Sequence, residues 1–200
     1  MRSKLKHEPF YIVADNVLTT KEIEIIKDEA GKEKYERLDT DYYHYDRFAV
    51  LDKHRTLKIV EALIYQKKWW DMALGTPDLA WAGSCPNYTV SITKYKDGDW
   101  YMWHSDASGQ KNLSSRGRAL SFIIYLTDTG FTGGETQFSL ECGNFFPEEN
   151  KAELWKSIEP KVGRLLIFPS WVLHRVNKVE GKEPRTVVNG HLNLTEYRVK

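Results

Sequence analysis

The chain has a helical hydrophobic pattern before residue 88 and a strand-like pattern after it. Apolar side chains recur at helical spacing after Thr19 and again over about residues 56–74, which predicts two helices. The first helix carries a capping-box signature, Thr19-x-x-Glu22, and Gly31 is a suitable stop.

The segments around these two helices are less regular. A strand is predicted over residues 10–18, before the first helix. Residues 32–46 are polar and rich in tyrosine and are predicted to be a loop, and residues 47–51 form a short strand after it. Residues 75–87 contain many helix breakers and are predicted to connect the two halves of the chain.

Short runs of β-type sequence dominate the rest of the chain, with glycine, proline and asparagine between them. They lie at 88–95, 100–106, 118–128, 133–140, 163–170, 172–176 and 185–194. Residues 141–160 interrupt this rhythm and are predicted to be a surface insertion. The pattern predicts one domain over residues 1–200, mainly β with flanking helices. Its core is predicted to be a β-sandwich or jelly roll over about 88–194, supported by about 1–87.

The composition of the chain disfavours several classes of function. The chain has 29 basic and 28 acidic residues and a net charge of +1, so no overall field attracts nucleic acid or an anionic membrane. No apolar run has the length of a signal sequence or a spanning helix. The two cysteines, Cys85 and Cys142, could form one disulfide, but a reduced, buried or incidental role is expected. These features favour a soluble cytoplasmic protein, and nothing in them indicates an oligomeric state.

The segment "YKDGDWYMWHSDASG" places His104 and Asp106 on one face of a predicted strand. Such a pair forms a salt bridge, a proton-transfer pair or part of a metal site, and a lone strand histidine is more often structural. His174 lies in a later predicted strand and supplies a second imidazole. Two imidazoles and one carboxylate are the facial ligand set of non-haem Fe(II) oxygenases.

Arg185 follows His174 after a predicted turn, "NKVEGKEP". If the two flanking strands pair, Arg185 lies beside His174, roughly 5 Å away across the ladder. A guanidinium in a metal cavity needs an anion, and its planar fork suits a carboxylate. 2-Oxoglutarate combines a chelating 2-oxo acid with a second carboxylate. The alternative is a surface arginine that pairs with Glu183.

Five motifs support this chemistry together. Residues 95–106 fit Y-x-x-G-x-x-Y-x-x-H-x-D, followed by "RALSFIIYLTD", "GGETQF" and "GRLLIFPSWVLHRV…GKEPRTVV". In order and spacing they resemble the Fe(II)/2-oxoglutarate dioxygenases of the prolyl 4-hydroxylase type, over roughly residues 88–194. The resemblance implies that the jelly-roll core is a double-stranded β-helix, backed by the N-terminal helices.

The resemblance implies that the two histidines and the aspartate are the catalytic iron ligands, with 2-oxoglutarate and O₂ as cosubstrates. It makes ascorbate a candidate reductant. Arg185 would hold the distal carboxylate of 2-oxoglutarate, Tyr125 and Thr136 would hydrogen-bond to the same carboxylate, and Tyr95 would contact the cosubstrate or pack in the core. The expected reaction is hydroxylation of an unactivated C–H bond with release of succinate and CO₂.

The substrate is less well defined. Arg118 matches a position that touches the peptide in some relatives, or else pairs with Asp128. Trp103 and Trp171 flank the ligands and are candidate pocket walls or core residues. His191 stands where relatives that act on proline often have tryptophan, and is a candidate pocket residue or rival ligand.

A prolyl residue in a peptide or protein is the substrate that the resemblance favours. The alternatives are another amino-acid side chain, a small molecule or nucleic acid, or a non-catalytic module that binds a small acid. A nucleic-acid substrate is disfavoured because the basic residues are scattered among acidic ones. A non-catalytic module would not need the complete ligand set.

Overall fold

A computed structural model describes residues 11–51, 53–64, 88–107, 118–140 and 155–193. The two helices are Thr20–Lys32 (α1) and Arg55–Ile64 (α2). The strands are β1 Ile12–Ala14, β2 Glu36–Asp39, β3 Tyr43–Ala49, β4 Tyr88–Tyr95, β5 Trp100–His104, β6 Arg118–Tyr125, β7 Phe131–Gly133, β8 Thr136–Ser139, β9 Trp155–Ile158, β10 Leu165–Pro169, β11 His174–Val176, β12 Val179–Gly181 and β13 Arg185–Asn193. The predicted connection 75–87 and both cysteines lie outside the described residues.

Helix α1 begins as its sequence predicts. The Thr19 hydroxyl oxygen accepts a hydrogen bond from the Glu22 backbone N–H at 3.3 Å, and the Glu22 carboxylate accepts one from the Thr19 N–H at 2.7 Å. This reciprocal pair is the capping box. The helix passes through Gly31 and ends at Lys32, so the stop predicted at Gly31 is one residue early. A glycine inside a helix lowers the stability of the helix by only about 0.5–1 kcal/mol relative to alanine, so the helix can continue through it.

Helix α2 is capped by the first helix. The Glu29 carboxylate accepts hydrogen bonds from the backbone N–H groups of Arg55 and Thr56, each at 2.9 Å, and so satisfies two free donors at the start of α2. The helix begins one residue before its predicted start, and its predicted part beyond Ile64 lies outside the described residues. Neither of the two described helices has the length and apolar character needed to cross a membrane.

The described strands confirm the predicted jelly roll. Eleven of them form one curled antiparallel sheet, along the path β1-β10-β6-β13-β4-β3-β5-β11-β8-β9, with β2 paired to β3 at one side. Strand β3 pairs with both β4 and β5 and so joins the two halves of the sheet. Strands β7 and β12 form a separate pair.

Several segments predicted to be irregular are strands. The predicted loop 32–46 contains β2 and most of β3, the insertion 141–160 contains β9, and the turn after His174 contains β12. Ion pairs stabilise β2 and β3 where hydrophobic alternation is weak. Arg37 binds Asp99 through two hydrogen bonds of 2.7 Å, which fastens β2 to the turn between β4 and β5. The N-terminal part therefore contributes strands to the sheet in addition to its two described helices.

The two faces of the β6-β13-β4-β3 half have different surroundings. One face packs against α1 and α2 and forms the main hydrophobic core, with Ile92, Phe122, Ile124 and Val188 fully or almost fully buried. The opposite face looks into the curled sheet. Its side chains are mostly polar or aromatic, and they surround a cavity of about 980 Å³.

Gly190 is expected to be essential for the spacing of the central strands. A Cβ atom at this position would clash with the Thr89 carbonyl oxygen and come within 2.6 Å of the Phe122 ring. We expect Gly190→Ala to lower the free energy of unfolding by about 1–3 kcal/mol in urea denaturation. Gly31→Ala is the matched control, because no atom lies within 4 Å of its added Cβ, and it should be neutral or slightly stabilising. Equal stability of the two variants would contradict this packing argument.

Candidate active site

Two histidines face each other across neighbouring strands of the sheet. Strand β11 pairs with β5 so that His174 lies opposite His104, and their ring centroids are 4.2 Å apart. Asp106 follows the end of β5, with one carboxylate oxygen 3.7 Å from His104 Nε2 and the other 3.6 Å from His174 Nε2. One ligand atom from each residue lies within 4.8 Å of those of the other two, so the group could hold a metal ion.

Backbone carbonyl groups fix both imidazole rings for metal binding. His104 Nδ1 donates to the Met102 carbonyl at 2.8 Å, and His174 Nδ1 donates to the Val172 carbonyl at 2.9 Å. Each ring therefore carries its proton on Nδ1 and turns the lone pair of Nε2 towards Asp106. The Tyr101 ring stacks on His104 at 3.7 Å and limits its rotation.

The protonation states also suit a metal. Burial and, to a smaller extent, the nearby His174 lower the pKa of His104 to about 3. Burial alone would raise the pKa of Asp106, but the imidazoles of His174, His191 and His104 outweigh it, so this pKa is lowered from its usual value. At neutral pH, His104 is neutral and Asp106 is ionised, which are the forms that bind a divalent cation.

A hydrogen-bond network supports the carboxylate from behind. The Ser121 hydroxyl donates to Asp106 Oδ2 at 2.6 Å, and Ser121 Oγ also lies 2.9 Å from Ser170 Oγ and 3.1 Å from His191 Nδ1. Burial lowers the pKa of His191 to about 4, so this ring is neutral as well. Ser121 could not be identified from the sequence, because a serine in a strand is common and its partners are remote in sequence.

Arg185 is buried without an acidic partner among the described residues. Only 1% of it is exposed, and its guanidinium lies 4.9 Å from the Tyr95 ring centroid and 5.2 Å from that of Tyr125. Its one described hydrogen bond runs from Nη2 to Thr136 Oγ1 at 3.2 Å, and its Nε has no partner in the described part of the chain. A buried, uncompensated guanidinium is costly, so this site fits an anionic ligand.

The predicted strand partner of Arg185 was wrong. Strand β13 pairs with β4 and β6, which places Arg185 opposite Tyr95, whereas His174 lies on β11, between β5 and β8. The prediction paired the strands on either side of the turn, but these two strands lie in different parts of the sheet. Arg185 still lines the same cavity as His174. Its burial also excludes the surface pairing with Glu183.

Three neighbours shape the Arg185 site. The Tyr125 and Thr136 hydroxyl oxygens are 2.7 Å apart, which links Tyr125 to Arg185 through Thr136. Gly134, which lies between β7 and β8, makes room for the arginine. A Cβ atom at Gly134 would lie 2.8 Å from Arg185 Cδ.

The candidate substrate residues divide into two groups. Arg118 and His191 line the cavity, and Arg118 Nη1 donates to the Asp106 backbone carbonyl at 3.3 Å. The alternative partner of Arg118, Asp128, instead accepts a hydrogen bond from the Val162 N–H. Trp103 and Trp171 do not line the cavity.

The reasons differ for the two tryptophans. Trp103 is buried against Trp155, and the Arg175 guanidinium lies over both rings. Trp171 is 61% exposed in the turn before β11. The aromatic residues that do line the cavity near the ligands are Tyr45, Tyr95, Tyr101 and Phe168.

Fold and site together define a class of protein: a jelly-roll oxygenase with a two-histidine, one-carboxylate metal group and a buried cationic site for an anionic cosubstrate. The family model described as the 2OG-Fe(II) oxygenase superfamily matches residues 90–193, just over half of the chain. The chain belongs to this superfamily. It is a dioxygenase whose cofactor is Fe(II) and whose cosubstrate is 2-oxoglutarate.

Solved structures show the same fold at low identity. A Pseudomonas putida prolyl-4-hydroxylase is 15% identical, with a TM-score of 0.69 and 93% of each chain covered. The viral collagen prolyl hydroxylase of Paramecium Bursaria Chlorella virus-1, in complex with 2OG, is 16% identical, with a TM-score of 0.64 over 96% of this chain and 99% of that chain. The non-heme alpha ketoglutarate dependent epimerase SnoN from nogalamycin biosynthesis is 15% identical, with a TM-score of 0.67 over 91% of this chain and 76% of that chain. Comparison with curated protein sequences gives no match.

Proposed function

We propose that this dioxygenase hydroxylates a prolyl residue in a peptide or protein and converts 2-oxoglutarate to succinate and CO₂. The observation that supports the oxygenase site most strongly is the buried Arg185 guanidinium, which has no acidic partner among the described residues and lines the same cavity as the group of His104, Asp106 and His174. The prolyl substrate is supported by the likeness to two prolyl hydroxylases, which extends over nearly the whole of each chain.

Four cavity residues have proposed roles. His104, Asp106 and His174 would hold the iron, and Arg185, positioned by Thr136, would bind the distal carboxylate of 2-oxoglutarate. When bound, iron and 2-oxoglutarate supply the oxidation of an unactivated C–H bond by O₂. The rest of the protein would bind and orient the substrate and exclude water from the site.

The buried phenols that line the cavity carry no charge that could compete for the arginine. Burial raises the pKa of Tyr95 well above its usual value, and burial likewise raises the pKa of Tyr101. Both side chains therefore stay protonated at neutral pH. Apart from Asp106, no carboxylate of the described residues lines the cavity to compete for the arginine.

A small polar molecule is the second candidate substrate. One observation favours it: Thr93, Ser121, Asn189 and His191 line the cavity with hydrogen-bonding groups. The fold is also shared with SnoN, an epimerase from nogalamycin biosynthesis. The iron chemistry would be the same, and only the substrate would differ.

Substrate screening separates the two candidates. The protein, loaded with Fe(II), 2-oxoglutarate and O₂, is incubated with a proline-containing peptide array, and products are analysed by mass spectrometry. We expect some peptides to gain the mass of one oxygen atom on proline, with one succinate formed per hydroxylation. Reactions without 2-oxoglutarate are the control. If polar small molecules gain oxygen and no peptide does, the prolyl proposal is wrong while the oxygenase assignment stands.

A further inference from the structure

The network behind Asp106 determines which nitrogen of His191 carries the proton. Ser121 Oγ lies within hydrogen-bond distance of three groups: the Asp106 carboxylate, Ser170 Oγ and His191 Nδ1. A serine hydroxyl has one proton to donate and two lone pairs that accept. All three contacts can form only if one of these groups receives the proton and the other two donate.

Asp106 must be the group that receives the Ser121 proton. An ionised carboxylate cannot donate, and two oxygen atoms 2.6 Å apart without a proton between them would repel each other. Ser170 and His191 are therefore the donors, so Nδ1 of His191 carries a proton, and an imidazole with its single proton on Nδ1 has its lone pair on Nε2. Its Nε2 is left with a free lone pair, and it has no hydrogen-bond partner among the described residues.

We propose that His191 is a substrate-positioning residue, whose Nε2 accepts a hydrogen bond from an N–H or O–H group of the substrate. The inference rests on the proposed function, because the group that binds must belong to the molecule being oxidised beside His104, Asp106 and His174. It extends that function by requiring a hydrogen-bond donor on the substrate close to the reacting carbon.

Asn189 supplies a hydrogen-bond donor that complements the His191 acceptor. It lies two residues before His191 on β13, so both side chains point to the same face, roughly 7 Å apart along the strand. Its amide oxygen accepts a hydrogen bond from the Thr93 hydroxyl at 2.7 Å, which directs the amide NH₂ elsewhere, and Asn189 lines the cavity. One acceptor and one donor on the same wall match the N–H and C=O groups of a peptide amide.

Two other roles for His191 fit the geometry less well. As a metal ligand it would have to use Nδ1, the nitrogen that lies 3.6 Å from Asp106, but that atom is already engaged with Ser121. The convergent metal-binding group of the described residues does not include His191. As a purely structural histidine it would have partners on both nitrogens, as His54 has with Leu51 and Glu33.

Nitrogen-15 NMR of the histidine rings tests the tautomer without any substrate. The whole chain, labelled on histidine and loaded with Zn(II) and 2-oxoglutarate, is compared with His191→Asn, whose missing signals assign His191. We expect Nδ1 to show the protonated type of shift and Nε2 the unprotonated type. A protonated Nε2 would overturn the inference, whatever the substrate is.

The same sample tests the substrate contact. Acetyl-glycyl-prolyl-glycine amide should move the Nε2 signal to lower shift, because the nitrogen accepts a hydrogen bond, whereas its fully N-methylated analogue, which has no N–H, should not. A response to methyl glucoside but not to the peptide would keep the positioning role and reject the prolyl peptide. No response to any of the three probes would overturn the positioning role.

Two substitutions separate positioning from structure. His191→Asn keeps a donor near the position of Nδ1 but removes the Nε2 acceptor, whereas His191→Gln carries an acceptor near the position of Nε2. We expect His191→Asn to weaken binding of the peptide probe about tenfold and His191→Gln to weaken it less. Both should retain the visible absorption band of the Fe(II)–2-oxoglutarate complex. Equal peptide affinity in His191→Asn and the parent protein would contradict the proposal.

Discussion

Replacing His174 by alanine is expected to abolish stoichiometric Fe(II) binding and leave the protein folded. Loss of an outer-shell partner already costs about 10–100-fold in metal affinity, and the loss of one of three protein ligands should cost more. The fold should survive because the hydrophobic core lies on the opposite face of the sheet, between the β6-β13-β4-β3 half and the two helices.

Anaerobic titration with Fe(II) and 2-oxoglutarate measures this effect through the visible absorption of the chelate, and circular dichroism measures the fold. His44→Ala is the matched control. His44 pairs with Asp39 and lies against the Trp100 ring, but it does not line the cavity, so its variant should bind iron like the parent protein. Normal iron binding by His174→Ala would remove this residue from the ligand set.

The ligand group was predictable from sequence because its geometry is mostly local. His104 and Asp106 are separated by one residue at the end of a strand, so a single element brings them together. His174 was identified through its motif. Its position opposite His104 depends on the pairing of β5 with β11, which join segments about 70 residues apart, and strand periodicity alone does not predict this pairing.

Polar strands were harder to recognise. Hydrophobic alternation identified β4, β6, β10 and β13, which bury apolar residues on the helix-covered face. It missed β2, because this strand is joined to the sheet by Arg37, whose ion pair with Asp99 spans 62 positions of sequence. Charged residues in a short segment resemble a loop until their partners are known.

The contacts that hold the site residues in place could not be predicted from the sequence either. The contacts of Ser121 with Asp106 and His191 depend on the close packing of β6 against β13. The clearance that Gly134 leaves for Arg185 depends on how the segment before β8 crosses the end of β13. Neither relation has a sequence signature, because each involves ordinary residues that are made specific by distant neighbours.

Arg185→Ala is expected to weaken 2-oxoglutarate binding strongly and leave Fe(II) binding intact. The guanidinium is almost fully buried and has no acidic partner among the described residues, so the distal carboxylate of 2-oxoglutarate would be its charge partner. Removing one member of a buried charge pair costs about 3–5 kcal/mol, on the order of 10² to 10³ in affinity. The metal group is on other strands and keeps all three ligands.

Succinate formation, measured against 2-oxoglutarate concentration, tests this prediction. The apparent KM for 2-oxoglutarate should rise steeply in Arg185→Ala and less in Arg185→Lys, which keeps the charge but loses the planar fork. A 2-oxo acid without the distal carboxylate should lose its disadvantage in the alanine variant, because neither cosubstrate then has a charge partner. Arg164→Ala is the control, since Arg164 pairs with Asp15 away from the cavity and should leave the KM unchanged. An unchanged KM in Arg185→Ala would mean that another group binds the cosubstrate, and the role of the buried arginine would have to be structural.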